Sequence, residues 1–244
     1  MTMPVKRINA WSSPRNISTA LMYSFAQRKD TRVYDEPLYA HYLHHTPSEA
    51  EHPGAAEVLE SQPIDAVQVV RETILGPCAR PVAFFKQMTH HLIELDTAFL
   101  RQTDNILLIR DPRAIIASYS KVIPNPTLAD IGVAQQLSLY EELQAAGTLR
   151  AVVDARQLLL GPRAVLSQLC EALGLPFDEA MLGWPPGARP EDGVWAKYWY
   201  ASVHRSTGFM PYEEKPYVLS PAQEALAKEC MPYYEVLSRV ALTP

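Results

Sequence analysis

The strongest constraint on this 244-residue chain is an alternation, in which short apolar runs rich in β-branched and aromatic residues recur between longer segments of helical period. A strand that is apolar along nearly its whole length, rather than at every second residue, must be covered on both faces. That is the situation of a parallel sheet lying between two layers of helices. Five such runs stand out, at residues 5–10, 32–35, 81–85, 105–109 and 149–154. They predict an α/β fold with a parallel sheet of about five strands and helices on both faces.

The connecting segments carry their own punctuation. Residues 18–28 place Leu21, Met22 and Phe25 on one helical stripe, with Ser18 or the residue before it in position to cap the helix. After the fifth strand, Pro162 and Gly174 bracket a helix over 163–173, following the preference for proline just inside a helix start and glycine just past its end. Two stretches break the alternation: 46–62, polar and acidic, and 176–190, rich in proline. Both read as surface excursions. Without internal repeats or a low-complexity linker, residues 1–244 are expected to form a single domain.

Bulk properties exclude several classes of function. A net charge of -5 argues against a nucleic-acid binder that works by neutralising many phosphates. The three cysteines, Cys78, Cys170 and Cys230, lie far apart with no CxxC spacing, so reduced thiols are expected and no zinc site. The first residues lack the apolar core of a secretory signal, and no run approaches the roughly 20 apolar residues of a membrane span. The expectation is a cytoplasmic protein without nucleic-acid or membrane partners.

Two strand-to-helix junctions carry the chemistry. The first, Trp11-Ser12-Ser13-Pro14-Arg15-Asn16-Ile17-Ser18-Thr19, puts a cation and two hydroxyls at the start of a helix. Unpaired N–H groups and the positive end of the helix dipole favour a phosphate or sulfate there. The loop lacks the Gly-Lys-Ser/Thr of a Walker A sequence, which disfavours an ATPase. In the second junction, Ile109-Arg110-Asp111-Pro112 ends a strand in an arginine, and Ser118 follows two turns into the next helix. Ligands of open α/β sheets bind beyond the carboxyl ends of the strands, where Arg110 belongs.

Taken together, the two junctions resemble the PAPS-dependent sulfotransferase superfamily, PAPS being 3′-phosphoadenosine 5′-phosphosulfate. The stretch from Val152 through Pro162 to Pro176 looks like a later strand, turn and helix of the same family. The resemblance implies a P-loop-type fold, with Ser13, Pro14, Arg15, Asn16, Ile17, Ser18 and Thr19 on the 5′ side of the donor. It implies that Arg110 and Ser118 hold the 3′ phosphate, and carries Arg205, in a late basic loop, to the same site. PAPS is then a co-substrate, no metal is expected, and the acceptor is a small molecule with a hydroxyl or amine. Where many family loops have Lys and Ser-Gly, this chain has Arg15 and Asn16-Ile17; Ile17 must either adopt ordinary helical angles or divert the loop.

Lys86, after the third strand, is the third candidate cation. In part of the family a histidine stands two residues after this lysine and acts as base; here Met88 stands there. Glu36 is therefore the expected base: alternate strand residues point to opposite faces, so Asp35 and Glu36 are not both expected at the pocket, and the longer side chain of Glu36, beside Pro37 at the strand end, can reach over the sheet edge. His90 and His91 are further candidates for the pocket. The cluster His41, His44, His45 and His52 places His41 and His45 on one helix face, and is read as a solvated or substrate-lining face rather than a metal site. The competing functions are a non-catalytic adenosine-nucleotide binder and a metal-dependent phosphotransferase on the same fold.

Overall fold

A computed structural model describes residues 4–46, 52–214 and 216–244. Six parallel strands form one sheet in the order β2-β3-β1-β4-β5-β6. They are β1 Lys6–Ser12, β2 Thr31–Asp35, β3 Val82–Met88, β4 Asp104–Ile109, β5 Leu149–Asp154 and β6 Ala241–Leu242. Five coincide with the expected runs to within a few residues. The sixth has only two residues, too few to carry a periodic signal, and is recruited by pairing of Val152 and Val153 with Ala241 and Leu242.

The unbroken apolar character of the strands has the cause inferred from it. In β4, Ile106 and Leu108 face a core shared with Leu21, Met22 and Phe25, while Leu107 and Ile109 face a second core with Leu38, Leu139 and Leu237. Helix Ser18–Ala26 presents the expected stripe, and Phe25 stacks on Phe84 of β3 at 4.1 Å. Helix Pro162–Ala172 starts on its proline, and Gly174 takes the left-handed conformation beyond its end.

The excursions are less superficial than expected. Within 46–62, helix Ala55–Ser61 buries Val58 completely against a cluster containing Tyr39 and Trp195; residues 47–51 lie outside the described residues. Within 176–190, Met181 and Trp184 are buried in the main core. Single apolar residues in a polar or proline-rich stretch have no period, so their burial was invisible in the pattern. No helix among the described residues is long and apolar enough to cross a membrane.

Candidate active site

The carboxyl ends of β1, β2, β3 and β4 open onto a cavity of about 400 Å³. Pro14, Arg15, Asn16, Ile17, Ser18 and Thr19 line it, together with Glu36, Lys86, Arg110 and Ser118. The loop between β1 and the first helix is strained: Arg15 has φ 56° and Ile17 φ 27°. Ile17 thus leaves ordinary helical angles, and the loop takes the diverted path. A left-handed conformation costs a residue with a Cβ about 1–2 kcal/mol and persists only where its surroundings impose it. Arg110 Nη1 donates to the Arg15 carbonyl at 2.5 Å, and the buried Asn16 donates through Nδ2 to the Leu108 carbonyl at 2.6 Å. Both bonds fasten the loop to the end of β4.

The expected cap on the first helix is absent. Ile17 occupies the cap position and no side chain caps the helix there. The first-turn N–H groups, which a serine would otherwise have satisfied, are left for a ligand. Arg15 bends across the cavity, where its Nε donates to Ser118 Oγ at 3.0 Å and its guanidinium lies 5.8 Å from the Trp199 ring. Residues expected at opposite ends of a nucleotide are therefore in direct contact. Burial, and next the charge of Arg110, lower the pKa of Arg15 below its ordinary value. Two guanidinium groups thus repel one another across a space suited to an anion.

At the ends of β2 and β3, Lys86 is 1% exposed and surrounded by oxygen. Its ammonium donates to Asp35 Oδ1 at 2.8 Å, to the Tyr200 hydroxyl at 2.7 Å and to Glu36 Oε1 in a very short bond. Tyr200 in turn donates to Asp35. Burial opposes the charge on Lys86, but Asp35 and Glu36 outweigh it and hold the ammonium's pKa well above its usual value. Burial raises the pKa of Glu36; Lys86 pulls it down and Asp35 adds to the rise.

The expectation that Asp35 and Glu36 point apart fails, since both reach Lys86. Glu36 lies just past the end of β2 with φ 41°, which breaks the strand alternation and swings its side chain back over the sheet edge. Only Glu36 of the pair lines the cavity.

Aromatic and imidazole rings form much of the remaining wall. His90 and His91 both line it, as do His52, Tyr39 and Trp195. Burial keeps both adjacent histidines neutral: His90 is pushed down to about 3 and His91 falls well below the ordinary value. His41 and His45 do share a helix face, with rings 4.3 Å apart, but both ring nitrogens of His41 meet backbone carbonyls of Ile64 and Ile93. That leaves His41 no nitrogen for a metal.

Two expected residues lie apart from the cavity. Ser13 is buried beneath the loop, where its hydroxyl accepts from Asn16. Arg205 is exposed, because the single turn Val203–Arg205 directs Ser202, Val203 and the following Ser206 to the cavity instead.

The family model of the sulfotransferase domain matches residues 6–241, which takes in β1 to β5 and both junctions. The chain belongs to the sulfotransferase family. Solved sulfotransferases share its fold. The sulfotransferase domain of the Synechococcus PCC 7002 olefin synthase superposes with a TM-score of 0.52 at 20% identity, covering 94% of this chain and 95% of that one. A sulfotransferase from Alicyclobacillus acidocaldarius gives 0.55 at 12% identity, with 97% of each chain covered. Among curated proteins, the Arabidopsis thaliana branched-chain-amino-acid aminotransferase-like proteins 2 and 1 are 38% and 39% identical over 231 residues. These cover 94% of this chain but 41% of theirs, so the chain spans about two fifths of the length of those relatives.

Of the histidine cluster expected on a solvated or substrate-lining face, His52 is the member that lines the cavity, whereas Tyr200 was not singled out from the sequence. Tyr200 was visible only as one of several aromatics in Trp195-Ala196-Lys197-Tyr198-Trp199-Tyr200; its bond to Lys86 spans 114 residues and has no local signature.

Proposed function

We propose that this sulfotransferase takes a sulfuryl group from PAPS and passes it to a hydroxyl or amine of a small acceptor. The observation that carries the reading is one cavity that combines an uncapped helix start, two mutually repelling guanidinium groups and a buried carboxylate. A dianionic phosphate meets the needs of the first two, and a proton acceptor is the use of the third. The first-turn N–H groups with Arg15, Ser18 and Thr19 would hold the 5′ phosphosulfate, and Arg110 with Ser118 the 3′ phosphate. In transfer, the acceptor oxygen or nitrogen bonds to sulfur as the bond from sulfur to the phosphate oxygen breaks and leaves its electron pair there.

Within that reaction Arg15 and the loop N–H groups stabilise charge developing on the leaving phosphate. Lys86 takes a different role from the expected one. An ammonium has three donors, and Asp35, Glu36 and Tyr200 engage all three. Lys86 therefore fixes Glu36, leaving Glu36 Oε2 to take the acceptor's proton.

Transfer of label from radiolabelled PAPS to an acceptor panel tests the reading. Wild-type protein labels an acceptor without added metal, and Glu36→Gln lowers turnover by about 100-fold to 10,000-fold while donor binding persists. Undiminished turnover in Glu36→Gln would remove Glu36 as base, and a requirement for ATP and Mg²⁺ would overturn the reaction itself.

A further inference from the structure

His91 is a side chain that neither the family pattern nor the reaction above assigns, yet its position is specific. Its ring stacks on Tyr39, with centroids 5.0 Å apart and planes 12° apart, and on Tyr42 at 4.8 Å and 25°. This packing fixes the plane of the imidazole. Burial above all holds it neutral, so one ring nitrogen carries a proton and the other a lone pair. Nδ1 is buried without a hydrogen-bond partner. A buried orphan N–H is rarer than a buried orphan lone pair, which assigns the proton to Nε2.

Nε2 stands 4.0 Å from Glu36 Oε2. That is too long for a hydrogen bond between them. It is, however, the span that a single oxygen bridges when it lies about 2.8 Å from each. Such an oxygen would accept from Nε2–H and donate to Oε2, and only an atom with both a lone pair and a proton does both. An ammonium has no lone pair and would enter beside the cations Lys86 and Arg15. The surrounding wall of Tyr39, Trp195 and Met88 offers an acceptor mainly apolar surface.

We propose that His91 holds the acceptor by donating Nε2–H to its oxygen while Glu36 Oε2 takes its proton, so that the acceptor is an uncharged hydroxyl borne on an apolar or aromatic body. The inference rests on the sulfuryl-transfer reading and adds no step to it: the proton goes to Glu36, the oxygen to sulfur and the broken bond's electrons to the leaving phosphate.

The test compares 2-naphthol with 2-fluoronaphthalene, which has a similar shape but no hydroxyl. Equilibrium dialysis is run on the whole chain saturated with 3′-phosphoadenosine 5′-phosphate. Wild-type protein should bind 2-naphthol about tenfold more tightly, as expected for hydroxyl bonds made in a desolvated site. His91→Phe, which keeps a ring against Tyr39 and Tyr42, should lose most of that preference while the nucleotide raises Tm as in wild type. His91→Gln, whose amide N–H reaches toward the Nε2 position, should recover part of it. Should His91→Phe not fold, His91→Asn, whose shorter amide falls short of that position, carries the same expectation. A preference for 2-naphthol that survives in the Phe or Asn variant, or is absent in wild type, overturns the proposal. If the nucleotide leaves the wild-type Tm unchanged, the sulfuryl-donor reading fails first and this inference with it.

Discussion

Lys86, with three N–H donors and three oxygen partners, organises the floor of the cavity. Its sequence signal, a lysine at the end of an apolar strand, was clear; its partners were not, because Asp35 and Tyr200 approach it from 51 and 114 residues away. Removing the ammonium would leave two buried carboxylates facing one another. Breaking one side of a buried ion pair costs about 3–5 kcal/mol. Lys86→Met should therefore lower stability to chemical denaturation by about that amount, and an unchanged midpoint would mean that the network contributes little. Arg15 has a different dependence. If it stabilises charge on the leaving phosphate, Arg15→Ala lowers turnover about 100-fold or more even at saturating donor. An effect confined to the donor's KM would reduce Arg15 to a binding residue. Glu36 was legible from its place after the second strand, but the φ of 41° that aims it was not, since nothing in Asp35-Glu36-Pro37 announces a left-handed backbone.

At the scale of elements, the strands were legible and their continuations were not. β1 and β4 carry long apolar runs because both faces are buried, and this was enough to place them within two residues. β6 has two residues and depends on β5 for its existence. The first helix was located by Leu21, Met22 and Phe25, yet its start differed in the capping on which the proposed donor site depends. The cap was expected at Ser18 or the residue before it; the strained turn puts the cap position on that preceding residue, Ile17, whose side chain makes no capping bond. That turn is held by Arg110 and by contact of Asn16 with β4, both long-range bonds that local propensity cannot express. Arg205 was carried over from a late basic loop of the family, and in this structure it is exposed and does not line the cavity.

At the scale of the molecule, the sheet order brings four strand ends to one cavity, so residues scattered from Pro14 to Met210 become neighbours. Sequence reasoning found the two junctions because each is a local strand-to-helix motif. It did not find the direct bond between Arg15 and Ser118, which spans 103 residues and joins the two halves of the proposed nucleotide site. The central claim is that this joined site reads two phosphates on one adenosine. Calorimetric titration with 3′-phosphoadenosine 5′-phosphate and with AMP, in buffer without added metal, tests it directly. Charge-assisted bonds from Arg110 and Ser118 to a 3′ phosphate contribute about 1.5–3 kcal/mol each, so the bisphosphate should bind at least about tenfold more tightly than AMP. Equal affinities for the two nucleotides would contradict the account.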